Sequence, residues 1–115
     1  EYNHGVPGVL KNLIDWLSRP ISETEKQVLS RKPAAISGIS TSMAGTVTGQ
    51  DQLVMLLSLL NMRIMNAPRL TIPSARKMLD AQGRLVLGDS QPFLDQQADA
   101  YLRFLQRVAV MNAPV

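Results

Sequence analysis

The sequence contains no cysteine. Disulfides, thiolate nucleophiles and cysteine metal sites are therefore excluded together. Histidine is almost as scarce, with His4 alone. One imidazole and no thiol cannot close a zinc site. A Ser-His-Asp hydrolase would have to use His4, and no Gly-x-Ser-x-Gly elbow exists. No Gly-Lys-Ser/Thr phosphate loop is present either. Aromatics are few and dispersed: Tyr2, Trp16, Phe93, Tyr101 and Phe104. The twelve Lys and Arg never form a run of four, and the net charge is only +3. Nucleic-acid binding needs a clustered basic surface, so it is not expected here. The longest apolar stretch, 53–60, is interrupted by Ser58 and is too short to cross a bilayer, so no membrane partner is expected. The polar start carries no basic-then-apolar leader pattern, and together with the missing cysteines this suggests a cytoplasmic protein.

What remains is an ordinary globular composition. The 115 residues suffice for one small domain, and 45% of them are hydrophobic. Gly5-Val6-Pro7 ends a loop, and Pro7 suits a first helical turn. Val9, Leu10, Leu13, Ile14 and Leu17 recur at helical spacing until Pro20, so a helix is predicted over 7–18. Trp16 reads as a packing residue of that helix, and Asp15 and Arg19 are spaced to pair. Residues 32–39 form an apolar run bounded by turn formers, the mark of a buried parallel strand. Residues 40–49 are rich in Ser, Thr and Gly and read as a loop.

A helix over 50–62 carries Leu53, Val54, Met55, Leu56, Leu57, Leu59, Leu60 and Met62. A helix apolar nearly all round is covered on more than one side, here plausibly by a second subunit. Residues 63–72 are strand-like, broken by Pro68. An irregular excursion follows, with a turn at Asp80-Ala81-Gln82-Gly83. The last helix opens at Ser90 as N-cap, with Pro92 just inside, and presents Phe93, Leu94, Ala98, Tyr101, Leu102, Leu105 and Val108. Alternating strands and helices argue for an α/β fold with a parallel sheet. Two strands make a poor sheet, so further strands before Glu1 are expected.

Residues 1–20, EYNHGVPGVLKNLIDWLSRP, resemble the signature of the NADPH-dependent FMN reductase family, which includes quinone, azo-dye and chromate reductases. Ser40-Thr41-Ser42-Met43-Ala44-Gly45 is similar to that family's second flavin-side loop, and Met65-Asn66-Ala67-Pro68 to its fifth strand. The resemblance implies a flavodoxin-like parallel sheet with helices on both faces. The 115 residues would be the C-terminal part of one FMN-binding domain, lacking its first three strands and its phosphate loop. It also implies FMN as cofactor and NAD(P)H as co-substrate. Hydride would pass from nicotinamide to flavin and then to a small-molecule acceptor: a quinone, an azo compound, free flavin or a metal oxyanion.

By the same resemblance, Glu1, Tyr2, Asn3, His4 and Gly5 border the flavin ring through backbone groups, and Ser42, Met43, Ala44 and Gly45 form a second wall. No catalytic side chain and no metal are implied. A homodimer or homotetramer through helix 50–62 is expected. One departure stands out. Where the family often has Gly-Gly-Ala-Arg, this chain has Thr46-Val47-Thr48-Gly49-Gln50. A rival reading is a non-catalytic fragment or binding module that needs an N-terminal half to hold flavin.

Overall fold

Two parallel strand pairs carry the chain, and a bulge separates them. The computed structural model describes residues 1–114. Its elements are helix α1 (Gly8–Leu17), strands β1 (Pro33–Ala34) and β2 (Ser37–Ile39), helix α2 (Val47–Leu59), strands β3 (Arg63–Ile64) and β4 (Leu70–Ile72), and helix α3 (Gln91–Asn112). Single 3₁₀ turns occupy Ala75–Met78 and Gly88–Ser90. Strand β1 pairs with β3, and β2 with β4, both parallel, with α2 as the crossover.

The register is not continuous. Ala34 faces Ile64, but Ser37 faces Leu70. Five residues, 65–69, thus lie opposite only two, Ala35 and Ile36. The predicted strands 32–39 and 63–72 are each cut in two at this point. The extra residues contain the cis Ala67-Pro68 bond. Carbonyls in such a bulge lose their ladder partners and need others if buried. Two buried glutamines serve this region, one within the bulge and one at the start of β4. Gln97 of α3 donates through Nε2 to the carbonyls of Ile36 (2.8 Å) and Pro68 (3.1 Å). Gln50 of α2 donates through Nε2 to the carbonyl of Leu70 (2.7 Å) and to Thr46 Oγ1 (2.9 Å).

Ile14, Ile36 and Leu57 form the centre of the core, joined by Leu53, Val54, Leu60, Met62 and Ile64. Helix α3 packs on β1 and β4, where Tyr101 Oη donates to the Pro33 carbonyl. Gly38 brings α2 close to β2: a Cβ there would lie 2.8 Å from Thr46 Cβ and 2.9 Å from its Cγ2. Helices α1 and α2 leave much apolar surface uncovered. Val9, Leu13 and Trp16 on α1 and Met55 and Leu59 on α2 are exposed.

Several expectations need correction. Trp16 is 73% exposed and does not pack in the core. Asp15 pairs with Lys11 at 2.7 Å, not with Arg19, because both face solvent one turn apart. Arg19 instead donates to Ser18 Oγ. Helix α2 starts three residues earlier than 50. Ser90 makes no side-chain cap and ends a 3₁₀ turn instead. On α3, Phe93 and Leu102 of the predicted apolar face are exposed, while polar Gln97 is buried.

The turn at 80–83 is borne out. Leu79 and Leu85 bridge across it, and Gly83 takes a positive φ of 74°. Asp80 Oδ1 accepts from the Arg84 and Gln82 amides, and Oδ2 from Arg84 Nε. The Arg84 amide, helped by the Arg84 side chain and the Gln82 amide, holds the Asp80 carboxyl below its ordinary range. A depressed folded pKa contributes stability above the unfolded value and loses it as pH falls through the folded one. Amide exchange at Gln82 and Arg84 is therefore expected to accelerate as pH falls below the ordinary Asp range, relative to an Asp80→Asn variant that shows no such step.

Replacing Gln97 by Ala strands the Pro68 carbonyl and leaves a void. A loss of about 2–4 kcal/mol is expected in urea unfolding, against less than about 1 for exposed Gln96→Ala.

Candidate functional site

Residues 1–5 fold into a tight turn. Tyr2 and Gly5 exchange backbone hydrogen bonds, 2.9 Å from the Gly5 N–H to the Tyr2 carbonyl and 3.2 Å in the other direction. Asn3 and His4 are the central pair, with φ of 49° and 59°. Two left-handed residues in a two-residue connection make a type I′ turn. Asn tolerates that geometry well, and His more than most residues. The amides of Tyr2 and Gly5 are used inside the turn. Those of Asn3 and His4 lie outside this pairing.

The turn is held from below. Glu1 Oε2 accepts from the Gly49 N–H at 2.6 Å, in the first turn of α2. The Glu1 side chain is only 8% exposed, and His4 Nδ1 lies 3.7 Å from its Oε1. Gln52 Nε2 donates to the His4 carbonyl at 3.1 Å. Helix α2 has no acidic residue in its first turn and no side-chain cap from Thr46. Its N-terminal partial positive charge is met instead by a carboxylate 48 residues away in sequence. This explains why the helix begins at Val47 within a segment that reads as loop. Above the turn, Tyr2 is 76% exposed, and Asn3 and His4 are exposed too.

The 40–45 loop leaves the carboxyl end of β2 and enters α2 at Thr46. It is tied to the segment after β4: the Ser40 N–H donates to the Ile72 carbonyl, the Ser74 N–H to that of Ser42, and the Ala75 N–H to that of Ser40. Ser40 and Ser42 hydroxyls bond each other at 3.1 Å. Gly45 is buried with φ of 64°, which favours glycine. Ser42, Met43 and Ala44 are exposed, Met43 at 89%. Both loops meet at the N-terminus of α2, beyond the carboxyl ends of the parallel strands. In open α/β sheets that is where ligands bind. A cavity of about 130 Å³ lies beneath, lined by Glu1, Gly5, Ile36, Gly38, Thr46 and Gln50.

The model of the NADPH-dependent FMN reductase family matches residues 1–77. The chain belongs to that family. It is 41% identical over 108 residues to an NAD(P)H-dependent FMN reductase of Pseudomonas aeruginosa, covering 94% of this chain and 56% of that protein. It is 36% identical over 106 residues to a 2-hydroxy-1,4-benzoquinone reductase of Burkholderia sp, covering 92% of this chain and 56% of that protein. Its structure resembles that of FerB, a flavoenzyme NAD(P)H:(acceptor) oxidoreductase from Paracoccus denitrificans, with a TM-score of 0.77 at 29% identity. That likeness covers 93% of this chain and 57% of FerB, and with it the flavodoxin-like fold is established. The chain spans about half the length of the curated relatives it matches.

Sequence reasoning brought Glu1, Tyr2, Asn3, His4 and Gly5 together correctly as one loop. It missed Gly49 and Gln52, which seat that loop. The sequence carried no signal for them, since 46–49 reads as loop and the partner of Gly49 lies 48 residues away. The turn is expected to be strained at His4. His4→Gly is expected to raise stability by about 0.5 kcal/mol in urea unfolding, the relief of left-handed strain outweighing the added chain entropy.

Proposed function

We propose that these residues are part of an FMN-dependent NAD(P)H:acceptor oxidoreductase. The observation that supports this most is the type I′ turn at Asn3 and His4, whose two central amides take no part in the Tyr2–Gly5 pairing, beyond the strand carboxyl ends in a chain of the FMN reductase family. The residues fit a flavin ring. A flat heteroaromatic edge with carbonyl oxygens is met by fixed N–H donors and by an exposed Tyr2, and needs no metal. Bound FMN supplies the redox chemistry, taking hydride from NAD(P)H and releasing electrons to an acceptor.

The chain's own contribution is binding and orientation. Glu1, Tyr2, Asn3, His4 and Gly5 hold one ring edge, chiefly through main-chain groups. Ser42, Met43, Ala44 and Gly45 provide the second wall. Donors fixed near the ring's carbonyl edge favour negative charge there. No catalytic side chain is assigned. The acceptor is a small flat molecule of the quinone class, with azo compounds, free flavin and metal oxyanions as further candidates. The names of the quinone-reducing relatives support that class.

Residues 1–115 are read as the C-terminal part of one flavodoxin-like domain. No helix among the described residues is long and apolar enough to cross a membrane, and a cytoplasmic location is proposed. A homodimer or homotetramer would cover Met55 and Leu59 on α2. The full chain is expected to purify yellow, absorbing near about 450 nm, and to oxidise NAD(P)H with a benzoquinone acceptor. A colourless protein that takes up no added FMN would overturn the reading in favour of a non-catalytic binding module.

A further inference from the structure

We infer that Glu1 is a positioning residue, whose carboxylate latches the 2–5 turn onto the first turn of α2 and so fixes the direction of the Asn3 and His4 amides. The inference rests on the flavin-site reading above, but its geometry is independent of it.

Four observations converge. The Glu1 side chain is turned inward and nearly buried, although it sits beside an exposed turn. Its Oε2 accepts from the Gly49 amide at 2.6 Å, a charge-assisted bond. Helix α2 lacks any acidic or side-chain cap of its own. A side chain at position 49 would crowd the latch: a Cβ would stand 2.9 Å from Glu1 Oε2, 3.0 Å from Glu1 Cγ and 3.2 Å from the Gly5 carbonyl, so the Glu1 carboxylate would have to shift. Glycine in a helix interior is costly relative to alanine. Here it provides the seat into which the carboxylate descends.

The physical consequence follows from lever geometry. A type I′ turn of two residues is rigid within itself, but its direction depends on how its base is fastened. It is fastened at two points. Glu1 holds the entry side to Gly49, and Gln52 holds the His4 carbonyl at the tip. Gln52 is exposed, so its bond competes with water. The Glu1 bond is part-buried and charge-assisted, and it dominates. Without it the turn keeps its internal Tyr2–Gly5 pairing but swings as a body, and the two amides lose their common aim. A ligand that needs both amides at once then binds to a mixture of orientations, most of them unproductive.

The test compares wild type, Glu1→Ala, Glu1→Gln and Gly49→Ala in the full chain. In flavin-free protein, the Asn3, His4 and Gly49 amide resonances are expected to shift and broaden in Glu1→Ala. The Tyr2–Gly5 pairing should stay protected from exchange. With FMN titrated by fluorescence quenching, Glu1→Ala and Gly49→Ala are expected to bind roughly ten- to a hundredfold more weakly, the range of one lost charge-assisted hydrogen bond. Glu1→Gln keeps an acceptor for Gly49 and is expected to recover most of that loss. The absorption band of bound FMN should move in Glu1→Ala and return in Glu1→Gln, which a general loss of stability would not produce. Glu1→Ala with unchanged turn amides, or with FMN affinity within about twofold of wild type, would overturn the latch. Should Glu1→Ala fold poorly, Glu1→Gln and Gly49→Ala still decide: equal FMN affinity in wild type and Gly49→Ala rejects the inference. Wild type that takes up no FMN refutes the flavin reading alone, and the turn amides in flavin-free protein then judge the latch.

Discussion

Carbonyl groups released by the bulge between β3 and β4 have to be paired inside the protein, and this requirement organises much of what surrounds it. The two strand pairs run in registers that differ by three residues. Of the intervening carbonyls, that of Ile36 receives only a long 3.5 Å bond from the Leu70 N–H of β4, and that of Pro68 turns to a side chain. A primary amide on a two-methylene stem is suited to the task, since its NH₂ can serve two acceptors at once. Gln97 does so from α3, and Gln50 does so from α2. Both helices are thereby tied to the strands by directional bonds as well as by apolar contact. The ends of β2 and β4, and the loops that leave them, inherit their positions from this arrangement.

The same reasoning explains which parts of the fold the sequence exposed. Helix α1 was legible because its apolar spacing and flanking prolines act locally. The 80–83 turn was legible because Asp80 and Gly83 carry their own turn chemistry. The start of α2 was not, since Thr46-Val47-Thr48-Gly49 reads as loop and its stabilising carboxylate comes from Glu1, far off in sequence. Gln97 was assigned no role, because burial of a polar residue depends on a carbonyl 61 residues away at Ile36. Trp16 misled for a different reason. An apolar residue at helical spacing is expected to be covered, yet α1 keeps only Ile14 buried.

The candidate site was legible as a location and obscure as a mechanism of assembly. The first five residues announced themselves by a consecutive match to one family. What they do to one another was hidden. Two left-handed residues, a main-chain pairing and an inward carboxylate are all properties of conformation. The first two are internal to the motif, but the carboxylate and the His4 carbonyl find their partners outside it, at Gly49 and Gln52. The Tyr2 and His4 side chains stand outward. Glu1, which looks like one more polar loop residue, faces the interior.

Gln97 also has a bearing on how the chain acquires its shape. A protein made from its amino end presents both strand pairs well before it presents α3. Until that helix docks, the Pro68 carbonyl has only water for company, and the 65–69 segment stays hydrated beside its apolar neighbours. The βαβ portion can form early, held by α2 and Gln50. Closure of the bulge waits for the last helix. Biogenesis of residues 1–114 is thus built in two acts, and its vulnerable interval, to proteases or to aggregation, lies between them.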